Sequence, residues 1–261
     1  MGEEIRRVDL RFFSFFCMAI FTGILCGVGC TSKRNPATEK IFIVATCADY
    51  PPFEYYTQEK DLEGFDIELI QLVAKNLKKH VTFEVLEFGA IFAALETNRA
   101  DVGISTIAIT PERRKKIEFS APYYTQRLYA IFRKEDFKQS QEEIFRSFSG
   151  KVFGCQMGTT MEHWIKLHYP QEQCLTMDEN LPLIEALKSK KVDIVILDGY
   201  QAKTLCRITP QLGCCPVGKS NSSYAIALPK NSLLLAPINA ALKALEKSGE
   251  LDALKRKYHL D

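Results

Sequence analysis

Two charged residues, Arg113 and Asp198, stand 85 positions apart (198 − 113), each just beyond a run that reads as a buried strand. Arg113 follows GISTIAITPE, and Asp198 closes VDIVIL. A planar guanidinium gives a carboxylate two parallel charged hydrogen bonds, each contributing about 1.5–3 kcal/mol when shielded from water. An aspartate can hold an ammonium in the same way. The pair therefore suits a small zwitterion. Ser105 and Thr106 end the first run and can offer hydroxyl and backbone N–H groups. Gly158-Thr159-Thr160 lies where a strand gives way to a helix, and exposed N–H groups there favour an anion. Tyr50 and Phe88 can sandwich an aliphatic stem. Each residue also has a plainer reading. Arg113 begins a basic surface cluster ending at Lys116, and Ser105 and Thr106 suit a strand-end turn. Thr159 with Glu162 fits a capping box, Asp198 fits a cap for GYQAKTL, and single aromatics fit a core.

Such residues need elements to bring them together. IFIVAT (41–46) reads as a buried strand broken at Asp49-Tyr50-Pro51-Pro52, and GFDIELIQLVAKNLKKH (64–80) as an amphipathic helix. VTFEVLEF then alternates as a strand, IFAALETNR forms a short helix, and ADVGIS is a second buried strand. This order predicts a mostly parallel sheet flanked by helices. The pattern recurs without gaps: Ala94–Thr106 aligns on Ala186–Asp198 as helix end, basic turn, aspartate and buried strand. Two α/β lobes of similar build follow. YAIFR (129–133) and SYAIALP (223–229) mark two crossings between them, and the helical C-terminal stretch is expected on the first lobe. The expected boundaries are 41–131 plus 225–261 for lobe one and 132–224 for lobe two. In open α/β sheets ligands collect beyond the C-terminal strand ends, which is where Tyr50, Phe88, Ser105, Thr106, Thr159, Thr160 and Asp198 fall.

With 46% hydrophobic and 25% charged residues the chain is ordinary for a globular protein. Its net charge of +2 and interleaved signs give no case for nucleic acid. Residues 1–30 differ: Arg6, Arg7 and Arg11 precede an apolar run from Phe12 to Val28, as in a secretory signal. Gly27-Val28-Gly29-Cys30 is similar to a bacterial lipoprotein signal, with Gly27 where leucine is usual. The expectation is a lipid on Cys30, ahead of simple cleavage or a retained anchor, with residues 31–40 as a tether. Six cysteines then remain, Cys47, Cys155, Cys174, Cys206, Cys214 and Cys215, and sequence leaves their pairing open. No CxxC occurs, and His163 and His168 are five apart, so no metal and no cofactor is expected. Gly213–Ser220 matches the phosphate-loop pattern GxxxxGK[ST], but a proline interrupts it and a strand-like run follows, which argues against nucleotide binding.

Residues 41–261 resemble the polar amino-acid-binding proteins of ABC importers, solute-binding family 3. The resemblance rests on DYPPFE (49–54), GFDIELIQLVA (64–74), ISTIAITPERR, FSAPYY (119–124), GTT (158–160), Asp198 and SGELDALKRKY near the C-terminus. It implies a two-lobed periplasmic-binding-protein fold (type II) and hinge closure on a free amino acid. It also implies an ABC permease partner, a monomer, no enzyme activity and a periplasmic or extracytoplasmic location. In that family Arg113 would clamp the α-carboxylate and Asp198 the α-ammonium. Ser105, Thr106, Ala108 and Thr160 would take further backbone contacts, and Tyr50 and Phe88 the aromatic walls. Ala108 departs from the frequent hydroxyl residue there. The side-chain pocket would comprise Cys47, Tyr50, Phe88, Gln156 and Leu197, which lacks a counter-charge and favours a neutral ligand such as glutamine. The alternatives are a basic, arginine-type ligand, or an enzyme on the same fold similar to cyclohexadienyl or arogenate dehydratases, with Glu54 or Glu162 as acid.

Overall fold

The computed structural model describes residues 40–137, 148–217 and 222–260. The expected leader, the Cys30 lipid site, the tether to residue 39 and Gly218-Lys219-Ser220 of the phosphate-loop look-alike lie outside these residues. The chain first forms β1 (Ile41–Thr46), β2 (Asp49–Tyr50), β3 (Glu54–Tyr56), β4 (Leu62–Glu63), α1 (Phe65–Asn76), β5 (His80–Val85), α2 (Phe88–Glu96), β6 (Val102–Gly103), α3 (Pro111–Lys116) and β7 (Ile117–Gln126). A second series follows: β8 (Leu128–Arg133), β9 (Phe153–Gln156), α4 (Thr160–His168), β10 (Cys174–Met177), α5 (Asn180–Lys188), β11 (Ile194–Asp198), α6 (Gly199–Ile208) and β12 (Leu212–Pro216). The chain returns with β13 (Ser222–Pro229), α7 (Leu235–Ser248) and α8 (Glu250–Lys257).

Two five-stranded sheets result, in the orders β5-β1-β6-β13-β7 and β10-β9-β11-β8-β12. The three strands at one side of each sheet run parallel, as βαβ units require; the fourth, β13 or β8, runs antiparallel to them, and the fifth, β7 or β12, is antiparallel to the fourth and so runs with the first three. Each sheet is thus mostly parallel, as expected, with one antiparallel strand, β13 or β8, which is the strand that enters from the opposite lobe. The fold is the two-lobed type II architecture. The chain passes between sheets at Arg127 and again between Pro216 and Ser222. YAIFR therefore belongs wholly to the second sheet and SYAIALP wholly to the first, since hydrophobic runs do not state which sheet a strand joins. The C-terminal helices bury Ile238, Leu242, Leu245, Leu251 and Leu254 against Leu69, Ile70 and Val73 of α1, as their apolar spacing predicts.

The internal repeat is structural. Asn98 and Lys190 hold equivalent left-handed positions, φ 55° and 62°, after α2 and α5. Asp101 Oδ2 accepts from Ile43 N at 2.8 Å, and Asp193 Oδ2 accepts from Val152 N at 3.0 Å. In each lobe that aspartate ties the incoming strand to its neighbour. One glycine is obligatory: Gly64 has φ 133°, and a Cβ there would lie 2.1 Å from the Phe53 carbonyl oxygen. It lets α1 start directly beneath the Pro51–Phe53 turn.

Candidate functional site

The strand ends of both sheets face one cleft. Tyr50, Phe88, Thr106, Ala108, Arg113, Gln156, Thr159, Thr160 and Asp198 line it, joined by Met161 and Tyr224. The lobes are closed upon each other there, leaving only about 20 Å³ of free space among these side chains.

Arg113 reaches this point because Thr110 caps α3, its Oγ1 accepting from Arg113 N at 3.1 Å. The guanidinium donates to Ala108 O at 2.8 Å in its own lobe and to Gly158 O at 3.1 Å across the cleft. It lies over the Phe88 and Phe92 rings at 5.4 and 4.7 Å. Burial pushes its pKa down to about 10, so it remains cationic at neutral pH. Its partners among the described residues are carbonyls and rings.

Asp198 ends β11 and precedes α6, and it is 2% exposed. Tyr50 Oη donates to its Oδ2 at 2.6 Å across the lobes. Its Oδ1 is buried without a well-formed hydrogen bond. Burial raises the carboxyl to about 6, opposed by the nearby Tyr224 and Tyr50 hydroxyls. A buried acid with one unmet oxygen is costly unless a donor reaches it.

Thr106 adopts φ 46°, an unusual conformation for a β-branched residue. Asp66, in the first turn of α1, holds it there: Oδ2 accepts from Thr106 N at 2.8 Å and from the Tyr123 hydroxyl at 2.8 Å. Beneath lies Glu54, whose Oε1 accepts from Ser105 Oγ at 2.7 Å. Burial, then the Asp66 charge, pushes Glu54 well above the carboxylate range. Burial likewise lifts Asp66, to about 7.

Thr159 caps α4, its Oγ1 accepting from Glu162 N at 3.4 Å, but Glu162 reaches back to Gly158 N at 2.7 Å rather than to Thr159 N. The capping box is thus displaced by one residue, and Thr159 Oγ1 also donates to Gln156 O at 2.6 Å. Glu162 is further paired with Lys166. Neither Glu54 nor Glu162 faces the gap between Arg113 and Asp198.

Three expected pocket residues are elsewhere. Ser105 points inward, bonded to Glu54 and accepting from Cys47 N at 3.3 Å. Leu197 is buried in the core of lobe two, because strand alternation turns it to the face opposite Asp198. Cys47 lies in an adjoining chamber of about 500 Å³ with Asp49, Leu86, Glu87, Met177, Asp178 and Glu179. Its thiol donates to Asp49 Oδ1 at 3.0 Å, and burial, then Asp49, raises its pKa. Asp49 Oδ2 accepts across the cleft from Gln156 Nε2 at 3.2 Å and from Asn180 N at 3.3 Å. Sequence reasoning missed Asp49, Met161, Asn180 and Tyr224. Tyr224 alone carried a signal, as an aromatic within the returning strand; the others meet the site only through cross-lobe packing.

The sequence model of the bacterial extracellular solute-binding proteins, family 3, matches residues 42–261. The chain belongs to this family. Among curated family 3 relatives, the arginine-binding extracellular protein ArtP of Bacillus subtilis is 31% identical over 245 residues, 92% of this chain and 94% of its own. An ancestral arginine-binding protein, solved bound to arginine and bound to glutamine, superposes with a TM-score of 0.78 at 31% identity in each state. The arginine complex covers 84% of this chain and 98% of that one. An ancestral amino acid-binding protein described as a precursor of cyclohexadienyl dehydratase gives 0.77 at 28% identity, covering 84% of this chain and 95% of that one. Family 3 proteins serve importers outside the cytoplasm, and among the described residues no helix is long and apolar enough to cross a membrane.

Proposed function

We propose that this protein captures a free L-α-amino acid with a basic side chain between its lobes and presents it to an ABC permease. One observation carries the reading. A half-buried cation, Arg113, and a buried carboxyl with an unmet oxygen, Asp198, face one cleft from different lobes. The α-carboxylate would take the two guanidinium N–H groups, and the α-ammonium would satisfy Asp198 Oδ1. Binding then favours closure, because each lobe supplies one end of the clamp. With about 20 Å³ between these groups, the ligand enters only when the lobes part.

The side chain would extend past Gln156 into the chamber lined by Asp49, Glu87, Asp178 and Glu179. These acids supply the counter-charge that Cys47, Gln156 and Leu197 lack, so the neutral preference expected from sequence gives way to a cationic one. The arginine-binding relatives support this choice. The dehydratase-like alternative lacks support from the site, since its two candidate acids are engaged elsewhere.

The test is a calorimetric screen of free amino acids on ligand-stripped protein. Arginine should bind tightest, Arg113→Ala should weaken it at least about 100-fold, and Asp49→Asn should narrow the preference for arginine over glutamine. Tighter glutamine binding would sink the side-chain assignment alone. Failure of every amino acid, or normal binding by Arg113→Ala, would sink the reading as a whole.

A further inference from the structure

The cysteines of lobe two divide in a way that has nothing to do with the cleft. On β9 and β10, parallel neighbours, the register sets Cys174 opposite Phe153 and Cys155 opposite Thr176. Cys155 and Cys174 are therefore diagonal neighbours on one face of the sheet, and their sulfurs are 3.6 Å apart. On the other side of the lobe α6 packs on the edge strand β12, and Cys206 and Cys214, both half-buried, lie against the same core cluster. The two thiols left over are isolated. Cys47 lies in lobe one. Cys215 follows Cys214 on a pleated strand, so it points to the opposite face, into the core with Cys155. In strand order β12 is three places from β9, about 14 Å at the usual strand spacing, which is too far for a bond between Cys215 and Cys155. Vicinal pairing of Cys214 with Cys215 is opposed by the same pleat.

We propose that Cys155–Cys174 and Cys206–Cys214 are disulfides in the protein once it is outside the cytoplasm, while Cys47 and Cys215 stay thiols. All six are thiols in this structure, and closing the 3.6 Å contact to a bond requires about 1.5 Å of approach, within reach of side-chain rotation. The oxidant is an external disulfide of the kind that exported proteins meet, either a small-molecule disulfide or a dithiol oxidoreductase. One thiolate of each pair attacks that disulfide, forming a mixed disulfide and releasing one of its sulfurs as a thiol. The second cysteine then displaces the other sulfur, so two electrons and two protons leave the pair and the oxidant becomes two thiols. Cys214 suits the first attack: the neighbouring Cys206 thiol, then Lys203 and Lys134, bring its pKa down to about 7 against the opposing effect of burial. Both bonds would brace elements that carry the cleft. One ties β9, which ends at Gln156, to β10, and the other ties α6, which starts beyond Asp198, to β12.

The experiment takes the full chain exported by a bacterial host, with a second sample incubated in oxidised glutathione. Each is alkylated in denaturant without reductant, digested and mapped by mass spectrometry. The expected result is a Cys155 peptide joined to a Cys174 peptide, and a Cys206 peptide joined to the one holding Cys214 and Cys215. Cys47 is expected to be alkylated. Cys215→Ala should retain the second bridge and Cys214→Ala should lose it. Reduction should lower Tm by roughly 5–10 °C, with ligand affinity at 25 °C unchanged, which separates this proposal from the ligand assignment. A pair found alkylated in both samples, a bridge to Cys215, or a Tm unmoved by reduction overturns it.

Discussion

The Asp198 carboxyl titrates near 6 because it is buried, and an ammonium placed on its free oxygen would favour the charged form. Binding would therefore release a proton below that value. The sign follows: affinity holds steady above about pH 6 and falls as pH drops, by up to about tenfold per unit until the pKa of the complex is reached. Calorimetry between pH 4.5 and 8 checks this, and Asp198→Asn should abolish the dependence while weakening binding. Asp66 makes a different prediction. Its folded pKa of about 7 lies above the ordinary aspartate value, so the folded state holds a proton that the unfolded chain has released. Stability of the unliganded protein should then decline as pH rises from about 4 towards 7, by at most about 1.4 kcal/mol per unit for this group. Urea midpoints across that range should show the decline, and Asp66→Asn should lessen it, leaving the share due to Asp198 and Glu54. Since Asp66 also holds Thr106 at its positive φ, the same variant should weaken ligand binding with Arg113 and Asp198 intact.

Among the elements, the duplicated helix–turn–strand unit shows how one local pattern is used twice with different loads. Asp101 and Asp193 both accept from a backbone N–H of the neighbouring strand. Asp193 additionally accepts from Arg133 Nη2 at 3.0 Å, and that guanidinium, 7% exposed, also donates to Asp136 and to the Val192 carbonyl. Removing Asp193 leaves Arg133 with Asp136 alone and takes the acceptor from Val152 N, so Asp193→Ala should destabilise by about 1–3 kcal/mol, read from urea unfolding. Gly64→Ala should also be severe, about 2–3 kcal/mol, because both its φ and the Phe53 carbonyl exclude a side chain. The repeat, the strand ends and the helix faces were legible in sequence because each follows from local spacing. The displaced capping box was not, since Thr159-x-x-Glu162 looks the same whether the glutamate returns to residue 158 or 159.

Across the whole molecule, the lobes are held shut by bonds between residues more than a hundred positions apart: Tyr50 to Asp198, and Asp49 to Gln156 and Asn180. These contacts share the cleft with the proposed ligand, so opening must break them before capture. Tyr50→Phe removes one such bond and should shift the unliganded population towards the open form. A larger radius of gyration in small-angle scattering of the variant, lost again on adding arginine, is the expected result.

Periodicity and strand-end chemistry already contained the two-lobed α/β plan, the internal repeat and the placing of Arg113 and Asp198 at one cleft, because these follow from where short segments end. Distance across the cleft is another matter. That Ser105 turns inward to Glu54, that Leu197 packs into the core, and that Asp49 meets Gln156 across the cleft all depend on how the chain packs in three dimensions. The cysteines follow the same division: their number was plain in the chain, while their partners rest on strand order and pleat, which no spacing along the sequence encodes.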